Sequence, residues 1–328
     1  MRRLTFVVAV TVSLLFAGTA HAGDELKIAT LAPKSSAWGK VFSAWSKAID
    51  KKTGGKLRLK FYWNGAQGTD STLVGKLRTG QLDGATLGAE GLGEIHRPAL
   101  ALQLPGLFRT WKGIDEATAA LYPELAKGFE KEGFYLSSIG DLGRARTMSK
   151  GRAIRTPKDL RGMKPFAPRG GVIAPVIASV LGLTPVRIGI PELLPALTSG
   201  RVNVVTAPAI AAEQLQWSPH FDHIGADVAG IGIGAMVLNA DRLKRIPGDV
   251  MDVMRKTGKK AGSMLRKRVR KMDDDAYARL KKRMTVVELT EAERKEWEKA
   301  FGDVRRRLGQ GTFTPALVER LEKLADDG

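Results

Sequence analysis

The chain has 328 residues, no Cys, and 53 Lys and Arg against 34 Asp and Glu, for a formal net charge of +19. Absence of Cys excludes disulfides and thiolate metal sites, and the length suits two lobes at roughly 100–200 residues per domain. So basic a cytosolic chain points to nucleic acid, a reading that the N-terminus redirects.

Arg2 and Arg3 precede an apolar run from Leu4 to Ala17, and Ala20-His21-Ala22 follows. This order of basic region, apolar region and A-x-A site predicts a secretory signal over 1–22 and a periplasmic protein. The run is too short to read as a transmembrane helix. For an exported chain the excess of Lys and Arg points to an anionic membrane surface or an acidic partner, not to nucleic acid.

Leu26–Thr30 is a short β-like run. Ser35 or Ser36 caps a helix in which Trp38, Val41, Phe42, Trp45 and Ile49 recur at helical spacing, and Thr53-Gly54-Gly55 ends it. Leu57, Leu59 and Phe61 alternate with Arg58 and Lys60, as in a half-buried strand. After the Gly65–Gly68 turn, Asp70 and Ser71 open a short helix, and Gln81–Leu87 reads as another strand. This alternation predicts an α/β lobe with a largely parallel sheet.

Ile114, Ala117, Leu121, Leu125 and Phe129 mark a third helix, and Phe134–Ile139 is strand-like. Pro191 starts a helix that Gly200 ends, and Val202–Thr206 and Ile231–Leu238 follow as strands. Gly230, Gly232 and Gly234 alternate with Ile, which suits close strand packing. An amphipathic helix is expected from about Gly248 to Arg283, and Thr290 with Glu293 forms a capping box before the stripe of Trp297, Phe301, Val304 and Leu308. Thr314-Pro315 opens a last helix.

None of the short catalytic or phosphate-binding motifs occurs, so no enzyme, cofactor or metal is expected. His220 and His223 flank Asp222 without a set of ligands to complete a metal site.

Residues 156–166 read Thr-Pro-Lys-Asp-Leu-Arg-Gly-Met-Lys-Pro-Phe. This resembles the T-P-x-D-L-K-G-L-K-I-R signature of the DctP-type solute-binding proteins of TRAP (tripartite ATP-independent periplasmic) transporters. Further landmarks follow the family order: Thr53-Gly54-Gly55-Lys56, Gly65–Gly68, Leu104–Phe108, and Glu192 through Asn203. The resemblance covers roughly residues 25–310. It implies a two-lobed α/β binding protein with discontinuous lobes that close on a solute, joined by a long helix; the pattern over 248–283 fits that helix or its neighbour. It places one lobe at 23–148 with 231–283 contributing, and the other at 149–230, with C-terminal helices over 284–328 packing on both. It implies an extracytoplasmic subunit that captures a small organic acid and hands it to TRAP membrane permease subunits.

Carried over residue by residue, the family's main carboxylate-binding Arg falls on Phe166. Its upstream Arg falls on Arg146, and its Asn before Pro208 falls on Ala207. The Asp of its V-D-G turn falls on Asn203. An Arg grips a carboxylate through paired N–H donors, and Phe offers only apolar area. The departures favour a more apolar ligand, while Arg169 is a candidate to replace the missing Arg. From position in the α/β pattern, Trp38, Glu90, Thr206 and Trp217 join the candidate ligand-binding residues, each weighed against core packing or simple exposure. The basic run within 255–271 is a solvated face or a dock for anionic lipid or an acidic accessory protein. An exported enzyme on the same scaffold, or a docking protein that has lost its solute, stays open as an alternative.

Overall fold

The computed structural model describes residues 23–326; the signal expected over 1–22 lies outside them. The described chain opens as β1 (Asp24–Thr30), α1 (Ala37–Lys52), β2 (Leu57–Tyr62), α2 (Asp70–Arg78) and β3 (Gly84–Leu87). Ser36 caps α1 by accepting the Gly39 N–H at 3.1 Å, and Thr69 caps α2 by accepting from Thr72 at 3.4 Å. Each oxygen satisfies an amide donor that a helix start leaves unpaired. Then come α3 (Ala89–Ile95), α4 (Trp111–Lys131) and the long strand β4 (Phe134–Ser149). On α4 the expected stripe from Ile114 to Phe129 is buried.

The signature segment has a local structural logic. Thr156 precedes a 3-10 turn over Pro157–Leu160, and Asp159 Oδ2 accepts the N–H of Thr156 at 2.7 Å and of Arg155 at 3.0 Å. Leu160 packs with Ile154 and Val204. Gly162 follows at φ 75°, a left-handed conformation that side chains resist. Thr156–Gly162 is therefore a self-capped turn that delivers the chain into β5 (Phe166–Pro168). Asn203 Oδ1 accepts the Lys164 N–H at 2.7 Å and ties this entry to the neighbouring strand.

The second half runs α5 (Ile173–Leu181), β6 (Val186–Ile188), α6 (Ile190–Thr198), β7 (Val204–Pro208), α7 (Ala209–Gln214), β8 (His223–Gly225) and β9 (Gly230–Asn239). It closes with α8 (Ala240–Leu243), α9 (Gly248–Leu280), β10 (Thr285–Val287), α10 (Glu291–Gly309) and α11 (Pro315–Asp326). The expected capping box starts α10: Thr290 N donates to Glu293 Oε2 at 2.7 Å, and Glu293 N returns to Thr290 Oγ1 at 3.3 Å.

The main sheet has the order β10-β8-β4-β9-β3-β1-β2, with β7 also on β4. It is mixed: β1, β2 and β3, from which a parallel arrangement is expected, do pair in parallel, and the later strands add antiparallel pairings. Only β1–β2, β1–β3 and β10–β8 are parallel within it; β3–β9, β4–β9, β4–β7 and β4–β8 are antiparallel. The reason is that β4 and β9 are the two long crossing strands, and they pass in opposite directions. A glycine in β9 allows β3 to approach closely: a Cβ added at Gly234 would lie 3.0 Å from the Leu87 carbonyl. β5 and β6 form a separate parallel pair, joined to β7 by a Pro165–Val204 bridge.

Apolar packing divides accordingly. One core gathers Leu73, Leu100, Leu121, Phe129 and Val237; a second gathers Met148, Leu193, Val205, Ile210 and Trp217; a third gathers Leu26, Trp45, Ile49 and Leu238. The helix α9 joins two of them. Val250 and Met254 pack into the third core, and Val269, Ala276 and Leu280 into the second. The result is a two-lobed α/β molecule with one helix running between the lobes.

Candidate functional site

The antiparallel register of β4 and β7 sets Arg146 opposite Ala207 and Thr147 opposite Thr206. Alternation along a strand puts the first pair on one face and the second pair on the other. Arg146 is only 5% exposed. Its guanidinium lies over the Tyr277 ring of α9, 3.9 Å from the ring centre. Nη1 donates to the Arg144 carbonyl at a long 3.5 Å, and the buried Nε has no partner.

Asp273 stands nearby on α9, fully buried, but both its oxygens are committed to backbone. Oδ2 accepts the Arg144 N–H at 2.8 Å, and Oδ1 accepts the Ile210 N–H at 3.1 Å near the start of α7. Among the described residues Arg146 forms no salt bridge, whereas the neighbouring Arg144 pairs with Asp274 at 3.4 Å. Burial pulls the Arg146 guanidinium below its ordinary pKa, with Tyr277 and Asp273 opposing. A buried cation with a spare donor and no ion partner is costly, and an incoming anion relieves that cost.

Phe166 sits in β5 opposite Val186, half-buried, and packs on the core that holds Ala207 and Met148. Arg169 lies just beyond β5. Its Nη2 donates to both carboxylate oxygens of Glu192, at 2.9 and 2.8 Å, and Glu192 also accepts the Gly189 N–H at 2.6 Å. The structure therefore commits Arg169 to the start of α6.

Glu90 lies across a seam from Gly170. A Cβ at Gly170 lies 2.7 Å from Glu90 Cγ and 2.9 Å from its Oε1. The same seam sets Gly189 against Thr69 and Gly65 against Pro191. Burial pushes the Glu90 carboxyl up; the Gly170 backbone and Arg169 oppose, while Glu94 and Glu192 add to the rise. Trp38, in the first turn of α1, packs on both the second and the third core, and the adjacent Ala37 N–H meets Gln214 Oε1 at 3.4 Å.

Two candidates fall elsewhere. Thr206 is exposed and meets Thr147 Oγ1 at 3.1 Å, on the face away from Arg146. Behind Thr147 lies a cavity of about 60 Å³ lined by Ile154, Val287, Trp297 and Phe301. Trp217, 4% exposed, is part of the second core.

Three residues that sequence reasoning passed over are central here. Tyr277 and Asp273 sit in a helix whose composition reads as charged and solvated, and only their recurrence with Val269 and Leu280 marks them as inward. Asp70 is 4% exposed. Its Oδ2 accepts the N–H groups of Gly88 at 2.8 Å and Gly91 at 3.2 Å, which caps α3, and its Oδ1 has no partner. Burial raises its pKa from 3.8 to about 6.

Comparison with known proteins follows this architecture. The family model described as bacterial extracellular solute-binding protein, family 7 (DctP) matches residues 28–310. An uncharacterised protein of Sinorhizobium fredii is 25% identical over 300 residues, covering 90% of this chain and 55% of that protein. The chain spans about half the length of the curated relatives it matches. Among solved structures, a TRAP periplasmic solute-binding protein of Shewanella oneidensis with bound succinate superposes with a TM-score of 0.87 at 14% identity, covering 93% of this chain and 100% of that one. One from Ralstonia eutropha with bound (S)-2-acetolactate gives 0.85 at 21% identity, over 93% and 99% of the two chains. The fold is thus that of two-lobed solute-binding proteins, and the chain belongs to family 7 of the bacterial extracellular solute-binding proteins, the DctP family.

Proposed function

We propose that this protein is the periplasmic solute-binding subunit of a TRAP-type transporter, and that it captures a small organic acid with one carboxylate and an apolar body. Arg146 holds the carboxylate, and Phe166, Ala207 and Trp38 present apolar surface to the remainder. The observation that carries this reading is Arg146 itself: a buried guanidinium with an unpaired Nε and no ion partner among the described residues. One unpaired Arg matches one carboxylate, so simple dicarboxylates bind less well than monocarboxylates of similar size. The lobes divide near Ser149 and Gly230, where the crossing strands β4 and β9 end and begin. The bound ligands of the structural neighbours support an organic acid in general: acetolactate carries one carboxylate, as proposed here, and succinate carries two. Binding is closure of two lobes with no covalent step.

Native mass spectrometry of protein purified from cells tests the ligand class. A co-purified monocarboxylate is expected. Replacing the guanidinium in Arg146→Gln removes a charged hydrogen bond worth about 1.5–3 kcal/mol, so affinity falls roughly 10- to 100-fold. Retention of a neutral molecule at unchanged affinity by Arg146→Gln overturns the assignment.

A further inference from the structure

The basic character of α9 is divided by direction. The inward arginines are matched: Arg266 meets Asp115 at 3.4 Å, and Arg270 meets Asp115 and Asp141, each at 2.6 Å. The outward side is matched only toward its ends, where Arg255 meets Asp252 at 3.6 Å and Lys271 meets Asp275. Lys256, Lys260, Met264, Lys267 and Lys271 are all exposed, and their spacing of four, four, three and four residues stacks them in one stripe along the helix. The stripe runs for about 22 Å at helical rise. Among the described residues Lys256, Lys260 and Lys267 form no salt bridge, nor do the flanking Lys259 and Arg268; Lys271 meets only Asp275, at 3.2 Å. Met264, at the middle of the stripe, is 55% exposed and is the one large exposed hydrophobic residue among those described.

We propose that this stripe is a docking surface for an anionic phospholipid membrane. The inner face of α9 is anchored: Trp45 Nε1 donates to Thr257 Oγ1 at 3.1 Å, and Val269, Ala276 and Leu280 are fully buried. The helix therefore stays on the protein and presents its lysines as a fixed row. Several features select lipid over an acidic protein. The stripe is the convex side of a helix and offers no groove. Its cations are mostly Lys, a strongly hydrated point charge that protein interfaces deplete, and it holds none of the Trp, Tyr or paired-donor Arg anchors that such interfaces use. Diffuse negative charge on lipid head groups suits such a row, and Met264 is placed to enter the head-group layer.

The experiment is vesicle co-sedimentation of the chain from Gly23 onward, with phosphatidylglycerol–phosphatidylcholine vesicles and with pure phosphatidylcholine. Binding to the anionic vesicles alone is expected, and it disappears near ~0.5 M salt as screening shortens. The triple variant Lys256→Gln/Lys260→Gln/Lys267→Gln binds about 100-fold more weakly, at roughly fivefold per lysine. A control triple, Lys47→Gln/Lys51→Gln/Lys52→Gln on exposed positions of α1, removes the same charge and keeps most of the binding. Unchanged thermal melting of both variants verifies that they fold. Equal losses in the two triples overturn the proposal, because binding then follows net charge alone. Failure of the wild type to bind anionic vesicles also overturns it and leaves the stripe to an acidic protein.

Discussion

At the scale of single residues, the candidate site sets one buried cation against apolar surface. Phe166 and Ala207 both belong to the core around Met148 and Val205, and Ala207 is directly opposite Arg146. Arg146 is the cation there without an ion partner among the described residues, and Tyr277 of α9 stacks on it. Restoring an Arg by Phe166→Arg should lower the stability of the unliganded protein by about 1–3 kcal/mol, because it replaces a half-buried ring with a second cation near the first. The same change should weaken the native solute and strengthen dicarboxylates, since two guanidinium groups then face one cleft. Calorimetric titration with both ligand classes, alongside thermal melting, checks this; unchanged affinities would move the site away from Phe166. That position 166 is a candidate is readable from the signature spacing alone. What is not readable is Arg169, which stands close enough in sequence to serve as a substitute but is bound by Glu192 across 23 residues.

At the scale of elements, caps and periodicity are the legible part. Ser36, Thr290 with Glu293, and the stripe from Ile114 to Phe129 each act within a few residues, so sequence shows them directly. By contrast α3 begins without a side-chain cap of its own. Its amides are met by Asp70, 18 and 21 residues earlier in the chain. That service makes Asp70 a titrating element of the fold. Burial raises its pKa from 3.8 to about 6, the nearby Glu90 and Glu94 add to the rise, and the Gly91 and Gly88 amides oppose it. The folded state therefore holds an extra proton between about pH 4 and 6, so the stability that Asp70 contributes falls as pH rises through that window, by about 3 kcal/mol in all. Other carboxyls act in the opposite direction; Asp115, hydrogen-bonded by Arg270, is held below its ordinary value. The measurement is thus a difference. The stability of the wild type minus that of Asp70→Asn should decline from pH 4 to pH 6 in denaturant titrations, and a flat difference would rule the effect out.

At the scale of the whole molecule, the proposed function depends on closing two lobes, and the seam has identifiable contacts. Gly170 meets Glu90, Gly189 meets Thr69, and Trp38 reaches both cores. The φ of Gly170 is not in the left-handed region, so a larger residue there acts by bulk alone. Gly170→Val should hold the seam apart, lowering solute affinity about tenfold as the closed population falls, with the unliganded melting temperature unchanged. Small-angle scattering should then show compaction only at about tenfold higher solute concentration. A variant that closes and binds normally would place the moving contact elsewhere.

By itself the sequence determined the α/β alternation, the length of the connecting helix, the helix caps and the ordered landmarks of a binding-protein family, because these are local signals or fixed spacings along the chain. It did not determine that the sheet is mixed, that Trp217 is core, that Thr206 faces away from Arg146, or that Tyr277 and Asp273 surround that Arg. Those depend on which surfaces meet after β4 and β9 cross and α9 packs across both lobes. Arg146 and Tyr277 are 131 positions apart, and only tertiary packing makes them neighbours.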